Sequence, residues 1–114
     1  MEAKSKALEY YRQKKYRESI LNAKMWLGWS KRNDNKREEG EACKILAWSY
    51  RYLGKYEESI KFGNEMFRIA KEELDEDAVS DAYVVLASSY VTLAPEKRRL
   101  KETSLDENAS DSGI

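Results

Sequence analysis

The chain contains no histidine, one cysteine (Cys43) and one proline (Pro95) in 114 residues. Without histidine there is no imidazole base, no Ser–His or Cys–His pair, and none of the usual zinc ligand sets. A lone cysteine excludes a disulfide framework within the chain. Set among apolar positions at helical spacing, Cys43 reads as a small core residue. Neither sign of charge dominates: Lys+Arg and Asp+Glu are both 21, and the formal net charge is zero. A nucleic-acid binder needs a basic excess to release counterions, so no nucleic-acid partner is expected. No apolar run approaches the ~20 residues of a membrane helix, and none is expected to span one. The opening MEAKSKALEYY lacks the apolar core of a secretory signal, so a cytoplasmic location is expected by default. There is no Gly-rich phosphate loop and no Ser-centred nucleophile elbow. Acidic neighbours such as Glu57-Glu58 and Glu72-Glu73 do not face one site on a helix, so they cannot act together as acid and base. These absences predict a protein that is not an enzyme, with no catalytic residue, no cofactor and no metal.

What the chain has is charge in both signs and apolar residues at helical spacing. Charged residues make up 37%, a composition suited to solvated helices. Apolar positions recur three and four apart, never in sustained alternation, so helices are expected and strands are not. Ala3, Ala7, Tyr10 and Tyr11 form a first stripe. Tyr16, Ile20, Ala23, Trp26 and Leu27 form a second, where Trp26 and Trp29 share a face expected to pack beneath the second pair of helices, the alternative being a partner patch. Ala42, Ile45, Leu46, Trp48, Ser49, Tyr50 and Leu53 form a third. Tyr56, Ile60, Met66, Phe67, Ile69 and Ala70 form a fourth, and Ala82, Tyr83, Leu86, Ala87, Tyr90 and Leu93 a fifth. Gln13-Lys14-Lys15, Asn33-Asp34-Asn35, Gly54-Lys55 and Leu74-Asp75-Glu76-Asp77 are the breaks between them. Gly54 falls where a left-handed C-terminal cap is needed. Pro95 is placed to open a short final helix.

The stripes are copies of one another. Tyr10, Tyr50 and Tyr90 are spaced by 40, as are Ala7, Ala47 and Ala87. Tyr16, Glu18, Ser19 and Ile20 recur as Tyr56, Glu58, Ser59 and Ile60; Leu46, Ala47, Ser49, Tyr50 and Leu53 recur as Leu86, Ala87, Ser89, Tyr90 and Leu93. Such a register is an internal repeat, and stacked repeats make extended partner-binding surfaces. The expected organisation is a repeat domain over 1–102, with repeats at about 3–36, 41–76 and a partial one at 81–102. A polar, acidic and disordered tail is expected over 103–114.

These spacings resemble the tetratricopeptide repeat, whose pattern W-x2-L-G-x2-Y precedes A-x3-F on two antiparallel helices. Cys43-x2-Leu46-Ala47-x2-Tyr50 and Tyr83-x2-Leu86-Ala87-x2-Tyr90 fill the first part. Leu-Gly-Lys-Tyr-Glu-Glu-Ser-Ile at 53–60 is similar to the family's turn and second-helix start. Ser19 and Ser59 stand where a small residue lets paired helices approach. The family's step is about 34 residues, whereas this one is 40. No proline closes the second helix; Lys31 and Lys71 stand there. The longer step is similar to that of the Pins-type spindle-orientation adaptors and of rapsyn-type receptor-clustering scaffolds. The resemblance implies an all-α, right-handed α-solenoid of antiparallel helical hairpins, about two and a half units long.

The resemblance also implies a concave groove lined by the first helix of each pair. Its candidate residues here are Lys4, Leu8, Tyr11 and Arg12; Lys44, Trp48, Arg51 and Tyr52; and Val84 and Ser88. Trp48 and Tyr52 are large and amphipathic, and Arg51 can clamp a carboxylate. Lys4, Arg12, Lys44 and Arg51 outnumber Glu41 and Asp81, so the expected partner is a protein or peptide, extended or helical, with acidic residues and an apolar anchor. The family's clamp for chaperone tails would fall on Lys4, Leu8, Ile45, Asp81 and Val85. Only Lys4 fits, so chaperone tails are not expected. The function expected is thus an adaptor or scaffold module. The alternative is a self-associating repeat, a homodimer whose contact is the apolar surface of Val84, Val85 and Val91, or a fragment or short isoform of a longer scaffold. Ser112-Gly113-Ile114 fits the terminus captured by PDZ domains, Ser104-Leu105-Asp106-Glu107 fits an acidophilic kinase site, and Lys97-Arg98-Arg99-Leu100-Lys101 is basic. A solvated tail and a charged helix end explain all three equally well.

Overall fold

The computed structural model describes the backbone of residues 1–111 and the side chains of residues 1–95. Five helices make up the described chain: α1 (Glu2–Arg12), α2 (Tyr16–Arg32), α3 (Lys36–Tyr52), α4 (Tyr56–Glu72) and α5 (Glu76–Asp111). Among the described residues there is no strand.

The turns carry a finer period than the sequence repeat. Lys14, Asp34, Gly54 and Leu74 all have positive φ, at 62°, 50°, 77° and 55°, and they fall every 20 residues. Each sits one residue past a helix cap and closes it in the same way. The amides of Lys15, Asn35, Lys55 and Asp75 donate to the carbonyls of Tyr10, Ser30, Tyr50 and Ala70. The amides of the four positive-φ residues donate to Tyr11, Lys31, Arg51 and Lys71. This is the paired Schellman closure, which satisfies carbonyls that a helix end otherwise leaves bare. A helix of 17 residues and a three-residue turn thus form the structural unit.

Helix starts follow from capping. The Asn35 side chain accepts from the Glu38 amide at 3.2 Å, and the Asp75 side chain from the Ala78 amide at 3.1 Å. Both caps lie upstream of the first apolar residue, so α3 begins at Lys36, earlier than the repeat boundary expected at 41. At the other end, α5 runs through Pro95 instead of breaking before it. Pro95 lacks the N–H that would meet the Val91 carbonyl. The expected tail begins where no side chain is described; the backbone is helical to Asp111, and 112–114 lie outside the described residues.

Consecutive helices pack along their length, and α1 touches α3 as α3 touches α5, while α2 and α4 do not meet. The helices α1, α3 and α5 thus form one layer, here termed inner, whose neighbours touch, and α2 and α4 a second whose members do not. Trp26, Leu46 and Ala7 are fully buried between the first three helices, and Cys43, Ala47, Met66, Ala82 and Val85 form a second cluster between α3, α4 and α5. Burial of one such large side chain stabilises by roughly 1.5–3 kcal/mol.

Small residues set the helix separation. Ser19 and Ser59 are fully buried, and each hydroxyl donates to the carbonyl of the preceding helix: Ser19 to Ala7 and Ser59 to Ala47, both at 2.8 Å. Ser59 also shares a 2.9 Å hydrogen bond with Ser89. At Gly63 a Cβ would lie 2.8 Å from Leu86 Cδ2, closer than carbon atoms tolerate, so glycine permits the α4–α5 approach. One expectation for α5 fails. Val84 and Val91 are exposed, but Val85 is fully buried against α4.

Candidate functional site

The inner layer presents two regions, one at each end of α3. At the C-terminal end, four rings from three helices stack. Tyr52 lies 4.9 Å from Tyr16 and 5.8 Å from Trp48, both stacked, and Tyr11 reaches Tyr52 at 6.4 Å and Tyr16 at 5.8 Å. Tyr11 ends α1, Tyr16 opens α2, and Trp48 and Tyr52 lie one turn apart on the last turns of α3. Trp48 packs down on the second core cluster, whereas Tyr52 keeps 52% of its surface in solvent. Burial, and then the neighbouring Tyr52, raise the Tyr11 phenol far above its ordinary value, so it stays a neutral hydrogen-bonding group. Beside the rings, Arg51 Nε donates to Ser88 Oγ at 2.9 Å, and its guanidinium lies over the Tyr56 ring at 5.3 Å.

At the opposite end lies a recess of about 580 Å³ between the first turns of α3 and α5, floored by Met66, Ile69 and Ala70 of α4. Leu8 and Lys44 line it, as expected of groove residues. Its charge is not the basic one expected. Glu41, Glu73, Asp75, Asp77 and Asp81 surround it, against Arg37 and Lys44.

The basic groups on which an acidic partner was expected are engaged inside the molecule. Lys4 Nζ binds Glu38 at 2.9 Å and lies 3.7 Å from Glu41; Lys44 binds Asp81 at 3.0 Å. These two contacts are copies: Lys4–Glu41 and Lys44–Asp81 differ by 40 at both ends, so one ion pair links each inner helix to the next. Arg12 pairs with Glu9 on its own helix. Arg51 is held by Ser88. Lys4, Arg12 and Lys44 are thus paired with carboxylates, whereas Arg51 bonds the neutral Ser88 hydroxyl.

Of the ten candidate residues, the fold gathers Tyr11, Trp48, Arg51, Tyr52 and Ser88 at the aromatic end, and Leu8 and Lys44 at the recess. Lys4 is diverted into a structural network. Its ammonium lies 5.4 Å over the Trp26 ring, while Glu38 accepts from both Lys4 and the Trp26 indole N–H at 2.8 Å. The Lys4 hydrogen bond is the largest of the effects that lower the Glu38 carboxyl below its ordinary value. Arg12 turns outward, and Val84 lies exposed on α5. Tyr16, which spacing places only in the second stripe, lies on the first turn of α2 facing the end of α1, and this brings it to the rings. Glu73 and Asp75 sit on the α4–α5 turn and Asp77 in the first turn of α5, a segment that spacing alone marks only as a break.

Cys43 is buried and its thiol is pushed up to about 12 by burial, so it is a core residue and not a reactive one. Among the described residues no cluster of acids and cysteine is arranged to hold a metal, and no helix is long and apolar enough to cross a membrane. Comparison with protein-family models, with curated proteins and with solved structures finds no match to this chain.

Proposed function

We propose that the protein is an interaction module, an adaptor of the tetratricopeptide type built as a right-handed solenoid, that holds a partner segment across α1, α3 and α5. What supports this reading most is the ring cluster of Tyr11, Tyr16, Trp48 and Tyr52. It joins α1 and α3 of the inner layer with the start of α2 and leaves a large amphipathic side chain half open. Such anchors dominate binding energy at interfaces because they bury much area at little entropic cost. The segment that suits this surface places an apolar or aromatic residue on Tyr52 and basic residues over the recess, where carboxylates exceed cations. The 40-residue repeat and the contact of each inner helix with the next support the same choice of face.

The test is a peptide library screened for binding to the purified protein, with Tyr52→Ala as the comparison. Peptides with an aromatic anchor and Lys or Arg at one end should be enriched. Tyr52→Ala should weaken them about tenfold, equivalent to about 1.4 kcal/mol, with far-UV helicity unchanged. Equal binding by the variant, or enrichment of acidic peptides, refutes the assignment.

A further inference from the structure

The inner helix α3 is covered on both flanks, by α2 and by α4, whereas α5 packs against α4 alone apart from its edge contact with α3. The 40-residue register makes the uncovered flank measurable. Cys43, Ala47 and Tyr50 are among the residues of α3 that meet α4: Cys43 and Ala47 share a cluster with Met66, Tyr50 stacks on Phe62 at 5.7 Å while also joining the cluster shared with α2, and the Ala47 carbonyl accepts from Ser59. Their counterparts on α5 are Tyr83, Ala87 and Tyr90. Cys43 is 2% exposed and Tyr83 59%; Tyr50 is 8% exposed and Tyr90 51%. Spaced four and three apart, these α5 residues form one stripe along the helix.

The geometry points to this stripe as the seat of a separate amphipathic helix, lying antiparallel to α5 as α4 lies to α3. The repeat specifies its chemistry. Both helices that fill this role carry Ser-Ile followed by a small residue: Ser19-Ile20 with Ala23, and Ser59-Ile60 with Gly63. In both the serine seals against an alanine carbonyl of the preceding helix, whereas Gly63 faces Leu86 of the helix that follows. A serine in the incoming helix would meet the Ala87 carbonyl, and an aromatic three residues later would cover Tyr90 as Phe62 covers Tyr50. Both filling helices also carry basic residues in their last turn, Lys31-Arg32 in α2 and Lys71, followed by Glu72, in α4. That end would face the first turn of α5, which carries Glu76 and Asp77.

The chain's own following residues do not suit the role. The turn of the next unit would fall at Ala94, yet α5 continues through it. The positions matching Ser59, Gly63 and Met66 are occupied in sequence by Arg99, Thr103 and Asp106. A second copy offers no free helix of this kind, because α2 and α4 spend the same faces in their own cores.

The stripe contains none of the residues proposed to hold the groove partner, so its test is independent of the proposed function. The probe is a labelled peptide of the α4 sequence, YEESIKFGNEMFRIAKE, titrated against the full-length protein by fluorescence anisotropy. Binding should be saturable and should drop at least about tenfold with Ala87→Glu, which would bury an unpaired carboxylate, while Tyr52→Ala leaves it unchanged. A peptide variant with Ser59→Leu should bind about tenfold worse, since the helices could no longer close. No binding, or binding indifferent to Ala87→Glu, overturns the proposal. So does a concentration-dependent dimer that Ala87→Glu dissolves, which would assign the stripe to a second copy.

Discussion

Replacing Leu74 by glycine should stabilise the protein. Leu74 holds φ at 55°, a region in which an L-residue pays about 1–2 kcal/mol because Cβ crowds the backbone carbonyl. Its side chain is 87% exposed, so truncation gives up almost no buried area. Both closing hydrogen bonds of the turn use backbone atoms, from the Leu74 amide to Lys71 and the Asp75 amide to Ala70, and survive the change. Against the relief stands the greater freedom of glycine in the unfolded chain, about 0.5–1 kcal/mol. The net expectation is roughly 0.5–1 kcal/mol of added stability, or a rise in Tm of a few degrees for a domain of this size. Urea unfolding followed by circular dichroism measures it, with Leu74→Ala as control. Alanine keeps the Cβ and should change little, which separates the backbone effect from loss of the leucine. The converse change, Gly54→Ala at φ 77°, should cost about 1 kcal/mol, with no neighbour within 4 Å to add a steric term. If Leu74→Gly is no more stable than Leu74→Ala, positive φ is not what limits these turns.

Glu38→Gln should destabilise by about 2 kcal/mol at neutral pH, because it weakens a charged hydrogen bond to Lys4 beside the Trp26 indole. Since the folded carboxyl sits below its ordinary 4.5, its contribution is fully present above that value and disappears as pH falls through the folded pKa. The acid limb of stability measured against pH should accordingly be shallower in Glu38→Gln. Ser59→Ala and Ser49→Ala should differ although both hydroxyls are buried: Ser59 bonds Ala47 and Ser89, while Ser49 Oγ lacks a hydrogen-bond partner. Denaturant titration should show a loss of about 1 kcal/mol for Ser59→Ala and none, or a gain, for Ser49→Ala. With its thiol near 12, native Cys43 should resist a thiol reagent at pH 8 and react at once in denaturant.

The five helices, their order and the four breaks between them followed from apolar spacing and turn residues because both are local properties. A stripe at three and four spacing can bury itself only as a helix face, whatever lies opposite. The 40-residue step between Tyr10, Tyr50 and Tyr90 likewise fixed which helices are equivalent, and the left-handed turn at Gly54 could be read from the one residue type that takes it cheaply. The same turn at Lys14, Asp34 and Leu74 was not legible as such, since there the closing hydrogen bonds override the preference of the side chain.

Charge and exposure were decided by tertiary structure. Lys4 and Glu38 are 34 positions apart, and only the stacking of α1 on α3 brings them to 2.9 Å, which pairs Lys4 within the molecule. Val84 and Val85 are chemically identical neighbours, yet one faces solvent and the other α4, because the packing of α4 sets the rotation of α5. Tyr50 and Tyr90 occupy the same place in the repeat and differ in exposure for want of one covering helix. Periodicity determines which residues can share a face. What that face meets depends on partners distant in sequence, and side chains as long as lysine and glutamate can reach several of them.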